Sequence, residues 1–152
     1  MRKLTINSAI NSLTLIVFLT LSFASSATAE DYVSTKLAVD CSEFRSFTMS
    51  ANGLYFAIGK KNGLVKLWDV LKSKELQELE TGGEVTAVAI SPDNSKIAAA
   101  SGLVVQIWDL KSGHCLQSLS GHTDRIDSLD FNSDSSLLLS AGLDKYVKVW
   151  NV

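Results

Sequence analysis

Three side chains in the last third of the sequence have the types that nucleophilic catalysis uses. His122, Ser140 and Asp144 could serve as base, nucleophile and orienting carboxylate, and Trp150 follows them closely. A catalytic serine also needs an exposed hydroxyl beside an oxyanion hole. Whether these side chains do chemistry or only build structure therefore depends on the elements that carry them.

A second group of polar residues has a partial metal-site pattern. Asp130, Asn132 and Asp134 match the first ligands of a calcium loop. The required glycine is replaced by Ser135, and the bidentate glutamate by Ala141, which removes the tight turn and the strongest ligand. We interpret the segment as a strand end and a turn. We expect no metal and no cofactor, since a Gly-rich phosphate loop is also missing from the sequence.

The elements around these residues recur along the chain. Trp68, Trp108 and Trp150 stand 40 and 42 residues apart, and each ends a segment in which apolar and polar residues alternate. This alternation is typical of a strand with one buried face. The three segments are Val65–Val70, Val105–Leu110 and Val147–Val152.

A second recurring segment lies upstream of each tryptophan segment. Its apolar residues are spaced by three and then by two, which predicts a strand with a β-bulge. The copies are Phe44–Met49, Val85–Ile90 and Ile126–Phe131, and a turn-forming stretch follows each of them.

Each unit therefore has about four short strands in about 40 residues, which is the pattern of a propeller blade. The sequence resembles the WD-repeat (β-transducin-like) family in its Trp68-Asp69 and Trp108-Asp109 pairs, its Gly121-His122 pair and its Ser91-Pro92-Asp93 turn. The resemblance implies an all-β fold of three four-stranded blades in residues 30–152, as a partial propeller or as part of an oligomeric ring. The expected blades are about 41–80, 81–119 and 120–152, with 32–37 as an extra outer strand.

The resemblance also gives the His122, Ser140, Asp144 and Trp150 set a structural role. In the family these positions form a hydrogen-bonded chain that ties the loop before the first strand to the turn between the second and third. We therefore predict no catalytic residue. The first two repeats lack the full set, with Asp40, Ile58 and Asn62 at the corresponding positions of the first and Gly83 and Ala99 in the second.

The resemblance further implies that loops at one end of the blades recognise a partner. These positions mix both charge signs with two leucines, which suits a protein or peptide better than a polyanion. The chain has a net charge of −2 and no basic cluster, so we expect no nucleic-acid binding. The predicted protein-binding positions are Glu43, Arg45, Lys61, Glu84, Thr86, Leu103, Arg125, Asp127 and Leu143.

The first 29 residues have the layout of a secretory signal peptide. A basic start precedes a 12-residue, mostly apolar run over residues 13–24, and Ala27-Thr28-Ala29 has the small-x-small form of a cleavage site. Because a transmembrane helix needs about 20 residues, we expect cleavage after Ala29, with an uncleaved anchor as the alternative. The sequence thus predicts an exported protein, periplasmic or secreted, with no stable membrane span after cleavage.

Propeller geometry would place the two cysteines, Cys41 and Cys115, at opposite faces. A six-residue strand separates its ends by about 20 Å, whereas a disulfide requires Cα atoms within about 7 Å. We therefore predict no intramolecular disulfide.

Three blades do not easily close a ring, since family propellers have about four to eight. One hypothesis is that two chains form a six-bladed ring, and the other is a shortened product of a larger propeller. For function, the leading hypothesis is a non-catalytic protein-interaction or scaffold module. The alternatives are a fragment without independent function and a propeller-based enzyme.

Overall fold

The computed structural model describes the strands at 4–11, 14–21 and 33–39 and the continuous segment 42–152. The chain divides into two compact units, Met1–Ser42 and Glu43–Val152. Every regular element in these described residues is a β-strand. The predicted all-β fold is therefore confirmed.

The first unit contains a three-stranded antiparallel sheet. Strands β1 (Leu4–Asn11) and β2 (Thr14–Leu21) form a hairpin, and β3 (Val33–Val39) pairs with the other edge of β2. The predicted signal peptide falls on the segment that holds β1 and β2. Its predicted cleavage site, after Ala29, lies outside the described residues.

The second unit contains three antiparallel sheets, which we name blade one, blade two and blade three in chain order. The strands of each sheet follow one another in sequence, so that each blade is a meander. Blade one consists of β4 (Phe44–Met49), β5 (Tyr55–Lys60), β6 (Leu64–Asp69) and β7 (Lys74–Glu80). Blade two consists of β8 (Val85–Ile90), β9 (Lys96–Ser101), β10 (Val104–Asp109) and β11 (Cys115–Ser120). Blade three consists of β12 (Ile126–Phe131), β13 (Leu137–Gly142) and β14 (Val147–Asn151).

The predicted β-bulge is present in the first strand of every blade. The pairing register shifts between Phe44 and Ser46 in β4, and at the equivalent places in β8 and β12. The extra residue re-aims the side chains before it, which explains why the apolar spacing changes from three to two. The bulge prediction is therefore confirmed in all three copies.

The turns between the first and second strands of the three blades share one side-chain hydrogen bond to the backbone. The residue that opens each turn is Ser50, Ser91 or Asn132, and its side-chain oxygen accepts a hydrogen bond from the amide that begins the next strand, at 2.9 Å in each blade. The fourth turn residue has a positive φ in every copy, and Asn94 and Ser135 adopt it without being glycine. The turn is held by the backbone, because the amide of this fourth residue donates to the carbonyl of the residue that opens the turn, at 2.9 to 3.1 Å.

The hydrophobic core lies between neighbouring blades. Blade one contributes Ala57, Val65 and Leu67 to a buried cluster completed by side chains of blade two, which include Val88, Ile90 and Trp108. The opposite face of blade two forms a second cluster with blade three. A sheet buried on both faces needs apolar residues on both, so the middle of β9 is apolar, with Ile97 to Ala100 fully buried.

Candidate functional site

The structure brings His122, Ser140, Asp144 and Trp150 together in blade three. The His122 Nδ1 atom lies 2.7 Å from Asp144 Oδ2, and its Nε2 atom lies 2.7 Å from Ser140 Oγ. The Trp150 Nε1 group donates to Ser140 Oγ at 2.8 Å. Because an ionised carboxylate only accepts hydrogen bonds, Nδ1 carries the imidazole proton and Nε2 accepts the serine O–H. Both His122 ring nitrogens, the Ser140 hydroxyl and the Trp150 indole N–H therefore have hydrogen-bond partners.

Burial decides what this arrangement can do. Ser140 is 1% exposed and His122 is 4% exposed. The Ser140 hydroxyl donates a hydrogen bond to His122 Nε2 and accepts one from the Trp150 indole N–H, both inside the blade. A nucleophile must reach a substrate, which this hydroxyl does not. The geometry therefore supports the structural role that the family resemblance implies.

Blades one and two are built without this chain. In blade one, Ile58 stands at the position of Ser140 and is fully buried. The Trp68 indole N–H is consequently buried without a hydrogen-bond partner within residues 42–152. Asn62 keeps one function of Asp144, because its Oδ1 atom accepts the amide of Leu64 at 3.2 Å. Apolar packing holds these two blades, as the lack of the polar set predicts.

The electrostatics of Asp144 follow from its surroundings. Burial by itself raises the pKa of this carboxyl, but the amides of Thr123 and Tyr146 and the His122 imidazole all donate to it. These hydrogen bonds favour the ionised form and outweigh burial, so the pKa of Asp144 lies below its ordinary value.

This lowered pKa predicts acid sensitivity. The folded state binds the Asp144 proton less tightly than the unfolded state, so its stabilisation is present above the ordinary pKa of 3.8 and is lost as the pH falls through the lower, folded value. We expect the urea midpoint to fall between about pH 5 and about pH 2, and to fall less steeply in Asp144→Asn. A matched variant is Asp130→Asn on an exposed carboxylate, which should keep the wild-type slope. Equal slopes for wild type and Asp144→Asn would contradict the prediction.

The predicted protein-binding positions fall on loops and bulges at one end of the three blades. Their side chains are exposed except for that of Thr86, which is half-buried. Both leucines project into solvent, with Leu103 48% exposed and Leu143 53% exposed. We call this surface the interaction face: Glu43, Arg45, Lys61, Glu84, Thr86, Leu103, Arg125, Asp127 and Leu143.

Contacts across the blades join these positions into one surface. The Arg45 guanidinium of blade one pairs with the Glu84 carboxylate of blade two. Hydrogen bonding from Arg45 is the main reason that the pKa of Glu84 is lowered, and the nearby charges of Lys61 and Arg125 lower it further. Glu84 therefore lies within electrostatic reach of cations from blades one and three. Arg125 also pairs with Asp127 at 2.7 Å.

Sequence analysis missed the polar contacts that tie blade to blade. The Ser46 hydroxyl accepts the Val88 amide of the next blade at 3.2 Å, and the Asp93 amide donates to the Ser135 hydroxyl at 3.1 Å. These partners are 42 residues apart, a separation close to the repeat length. The repeat period was the available signal, because residues one period apart occupy equivalent places in adjacent blades.

The segment that resembles the start of a calcium loop is a turn in the structure. The Asn132 and Asp134 side chains accept backbone amides of their own turn, which fits the interpretation of a turn. Within the described part of the chain, no three His, Cys, Asp or Glu side chains converge on a common point.

Cys115 is a free, exposed thiol, and Cys41 lies outside the described residues, so the predicted lack of a Cys41–Cys115 disulfide stays a prediction. Among the same described residues, no helix has the length and apolar character to cross a membrane.

Comparison with known proteins bears on family and function. A family model described as WD domain, G-beta repeat matches residues 73–109 and 113–151. Over 114 residues the chain is 36% identical to the WD repeat and SOCS box-containing protein 1 of Homo sapiens, covering 72% of this chain and 27% of that protein. Over 105 residues it is 34% identical to the U3 small nucleolar RNA-associated protein 15 homolog of Xenopus tropicalis, covering 68% and 20%. The matched part of the chain thus spans about a quarter of the length of these relatives or less.

Solved structures show the same fold. The structures of U3-55K and of the RRP9 WD40 repeats each superpose with a TM-score of 0.67 at 24% sequence identity. Each superposition covers 72% of this chain and 36% of the other. The predicted fold class, an all-β fold of WD-type propeller blades, is therefore confirmed, and the choice between a partial propeller and part of an oligomeric ring stays a prediction.

The predicted localisation, exported and then periplasmic or secreted, is wrong. Relatives from Xenopus tropicalis and Gallus gallus are named for association with the U3 small nucleolar RNA. This name indicates the nucleolus and not the periplasm or the exterior of the cell. The signal peptide on which the prediction rested finds no support in these comparisons. The physical reason for the error is that a short apolar run fits a strand as well as a signal sequence, and much of this run lies in β2.

Proposed function

The chain belongs to the WD-repeat family, and from that premise we propose that it is a non-catalytic protein-interaction or scaffold module whose partner binds the interaction face. Repeats of this family generally act as non-catalytic interaction modules. The observation that carries the proposal is the continuity of the interaction face across three blades. The Arg45–Glu84 pair bridges blades one and two, and the Thr86 hydroxyl donates to the Ile126 carbonyl of blade three.

The chemistry of the interaction face favours a protein or peptide partner. Its charges are of both signs and are already partly paired, so it does not form the single-sign field that a phosphate backbone requires. The exposed leucines Leu103 and Leu143 add apolar contact area beside these charges. A mixed surface of this kind is typical of protein interfaces.

The relatives' names refine the class of partner. One relative is named for a SOCS box in addition to its WD repeats, and others for association with a small nucleolar RNA. These names weaken the sequence-based exclusion of nucleic acid, because association with a ribonucleoprotein brings RNA near. We propose that any such association runs through protein contacts of the interaction face. The competing proposal is that the chain is a fragment of a larger propeller without a partner of its own.

A capture experiment with the full chain tests the proposal. Proteins retained by the wild type are identified by mass spectrometry and compared with those retained by the triple variant Arg45→Glu, Lys61→Glu, Arg125→Glu. We expect the triple variant to lose a specific partner while keeping its circular dichroism spectrum. The matched pair Lys61→Glu and Lys74→Glu compares one exposed lysine on the interaction face with one on β7. No partner specific to the wild type, or a partner that the triple variant retains, would favour the fragment.

A further inference from the structure

The outer strand of blade two, β11, is an edge strand that is open to solvent. It stands at the end of its sheet, paired with β10 on one side and with no strand of the described residues on the other. Five of its six residues are exposed, and Leu116 is 51% exposed. The sixth, Leu119, packs on the cluster shared with blade three and holds the strand in place. The free edge of β11 is therefore accessible to another strand.

The pairing in blade one shows which backbone groups face outward. The Thr81 amide donates to the backbone of the β5–β6 turn at 2.9 Å, so every second residue before it in β7 bonds to β6. The backbone groups of the residues between, Glu78 and Glu80, therefore point away from β6. Because β11 pairs with β10 in the equivalent register, Ser118 and Ser120 direct their N–H and C=O groups to the free edge of blade two.

The outer strands of blades one and two differ in charge. Leucine and glutamine occur at the same places in both, but each glutamate of β7 is replaced by an uncharged residue in β11. The replacements, in order, are Cys115 for Glu75, Ser118 for Glu78 and Ser120 for Glu80. Charged side chains on an edge strand hinder its pairing with another chain. β11 therefore lacks the protection that the equivalent strand of blade one retains.

A second copy of the chain is the partner that this edge fits. Two β11 strands related by a twofold axis run antiparallel, so that a residue near the middle of one lies opposite its own copy. In β7 this symmetry would place the Glu78 carboxylates near one another, and like charges across a strand pair are destabilising. In β11 it places uncharged Ser118 there instead. Every copy also supplies an uncharged strand of the same length, so an incoming strand is always available.

The free thiol of β11 has no part in this pairing. With the axis at Gln117 or Ser118, Cys115 lies two or three residues from the axis. The two copies of Cys115 would then be about 14–20 Å apart along the strands, whereas a disulfide requires Cα atoms within about 7 Å. Pairing of the two edges should therefore persist in a reducing agent.

We propose that β11 pairs with β11 of a second copy and joins the two copies of blade two into one antiparallel sheet, with four strands from each copy. A single pair of short strands buries less than the roughly 1,200 Å² of a stable complex, so the dimer forms only as the protein concentration rises. None of the residues of the interaction face takes part. The proposal therefore does not rest on the proposed function.

Sedimentation velocity of the full chain in a reducing buffer tests the proposal. Over about a hundredfold range of concentration we expect a shift from monomer to dimer. Ser118→Glu should weaken dimerisation at least about tenfold. Its fold should persist, because blade one carries Glu78 at the equivalent place, and circular dichroism checks this. The control Ser133→Glu adds the same charge in the exposed β12–β13 turn and should leave the dimer unchanged.

An exchange of charge separates loss of pairing from damage to the fold. Ser118→Glu and Ser118→Lys should each sediment as monomers, because each brings like charges together across the twofold axis. A mixture of the two in equal amounts should form a heterodimer, since opposite charges then face one another. A misfolded variant would not regain association in this way.

Four results would overturn the proposal. One is a wild type that stays monomeric over the whole concentration range. The second is a dimer that Ser118→Glu weakens no more than Ser133→Glu does, which would mean association through another surface, such as a ring closed by blades one and three. The third is a mixture of the two charged variants that does not associate. The fourth is a dimer that the reducing agent abolishes. The capture experiment reads the interaction face, so failure of either experiment leaves the other proposal intact.

Discussion

Replacing His122 with alanine is expected to lower the free energy of unfolding by about 2–4 kcal/mol. The imidazole is buried between Asp144 and Ser140, at 2.7 Å from each. Its removal leaves a carboxylate and a hydroxyl without their partner and opens a cavity beside them. A buried polar group left unpartnered costs about 1–3 kcal/mol, and two are affected here. Urea unfolding followed by circular dichroism measures the change.

The chain contains its own control for this experiment, because it has two histidines. His114 is exposed in the loop before β11, and within residues 42–152 its imidazole makes no hydrogen bond to another side chain. His114→Ala should therefore change the free energy of unfolding by less than about 0.5 kcal/mol. If both substitutions had equal effects, the hydrogen-bonded chain would contribute nothing specific to blade three.

These expectations rest on residues that the sequence makes visible. The tryptophan segments recur at spacings of 40 and 42 residues, and the bulged strands recur with an apolar spacing of three and then two. Such features are local, since the spacing along the chain determines which side chains share a face. Blade sheets and bulges were therefore within reach of the sequence alone, whereas the polar chain of blade three was predicted from the resemblance to the WD-repeat family.

Contacts between blades were not predictable in the same way. Thr86 and the carbonyl of Ile126, or Asp93 and Ser135, meet only because adjacent blades pack in one particular register. The localisation prediction was wrong for a different reason. A short apolar run has no period that separates a strand from a signal sequence, and β2 contains much of it.

Replacing Leu67 with alanine is expected to lower the free energy of unfolding by about 2–5 kcal/mol, because this side chain packs between two blades. Leu67 is fully buried on β6 and belongs to the apolar cluster shared by blades one and two. Truncation removes buried methyl groups and leaves a cavity that the stiff strands around it cannot fill. Chemical denaturation of the full chain gives the value, with the intrinsic fluorescence of the tryptophans as a second probe.

Leu71 provides the matched comparison, because it is 73% exposed in the turn that follows the same strand. Leu71→Ala removes the same atoms without opening a cavity and should cost less than about 0.5 kcal/mol. If Leu67→Ala cost as little as Leu71→Ala, the stability of each blade would come from contacts within its own sheet and not from packing against the other blade. A large cost specific to Leu67 instead means that each blade depends on its neighbour for stability. The interaction face would then also depend on this core, because its Arg45–Glu84 pair spans the same two blades.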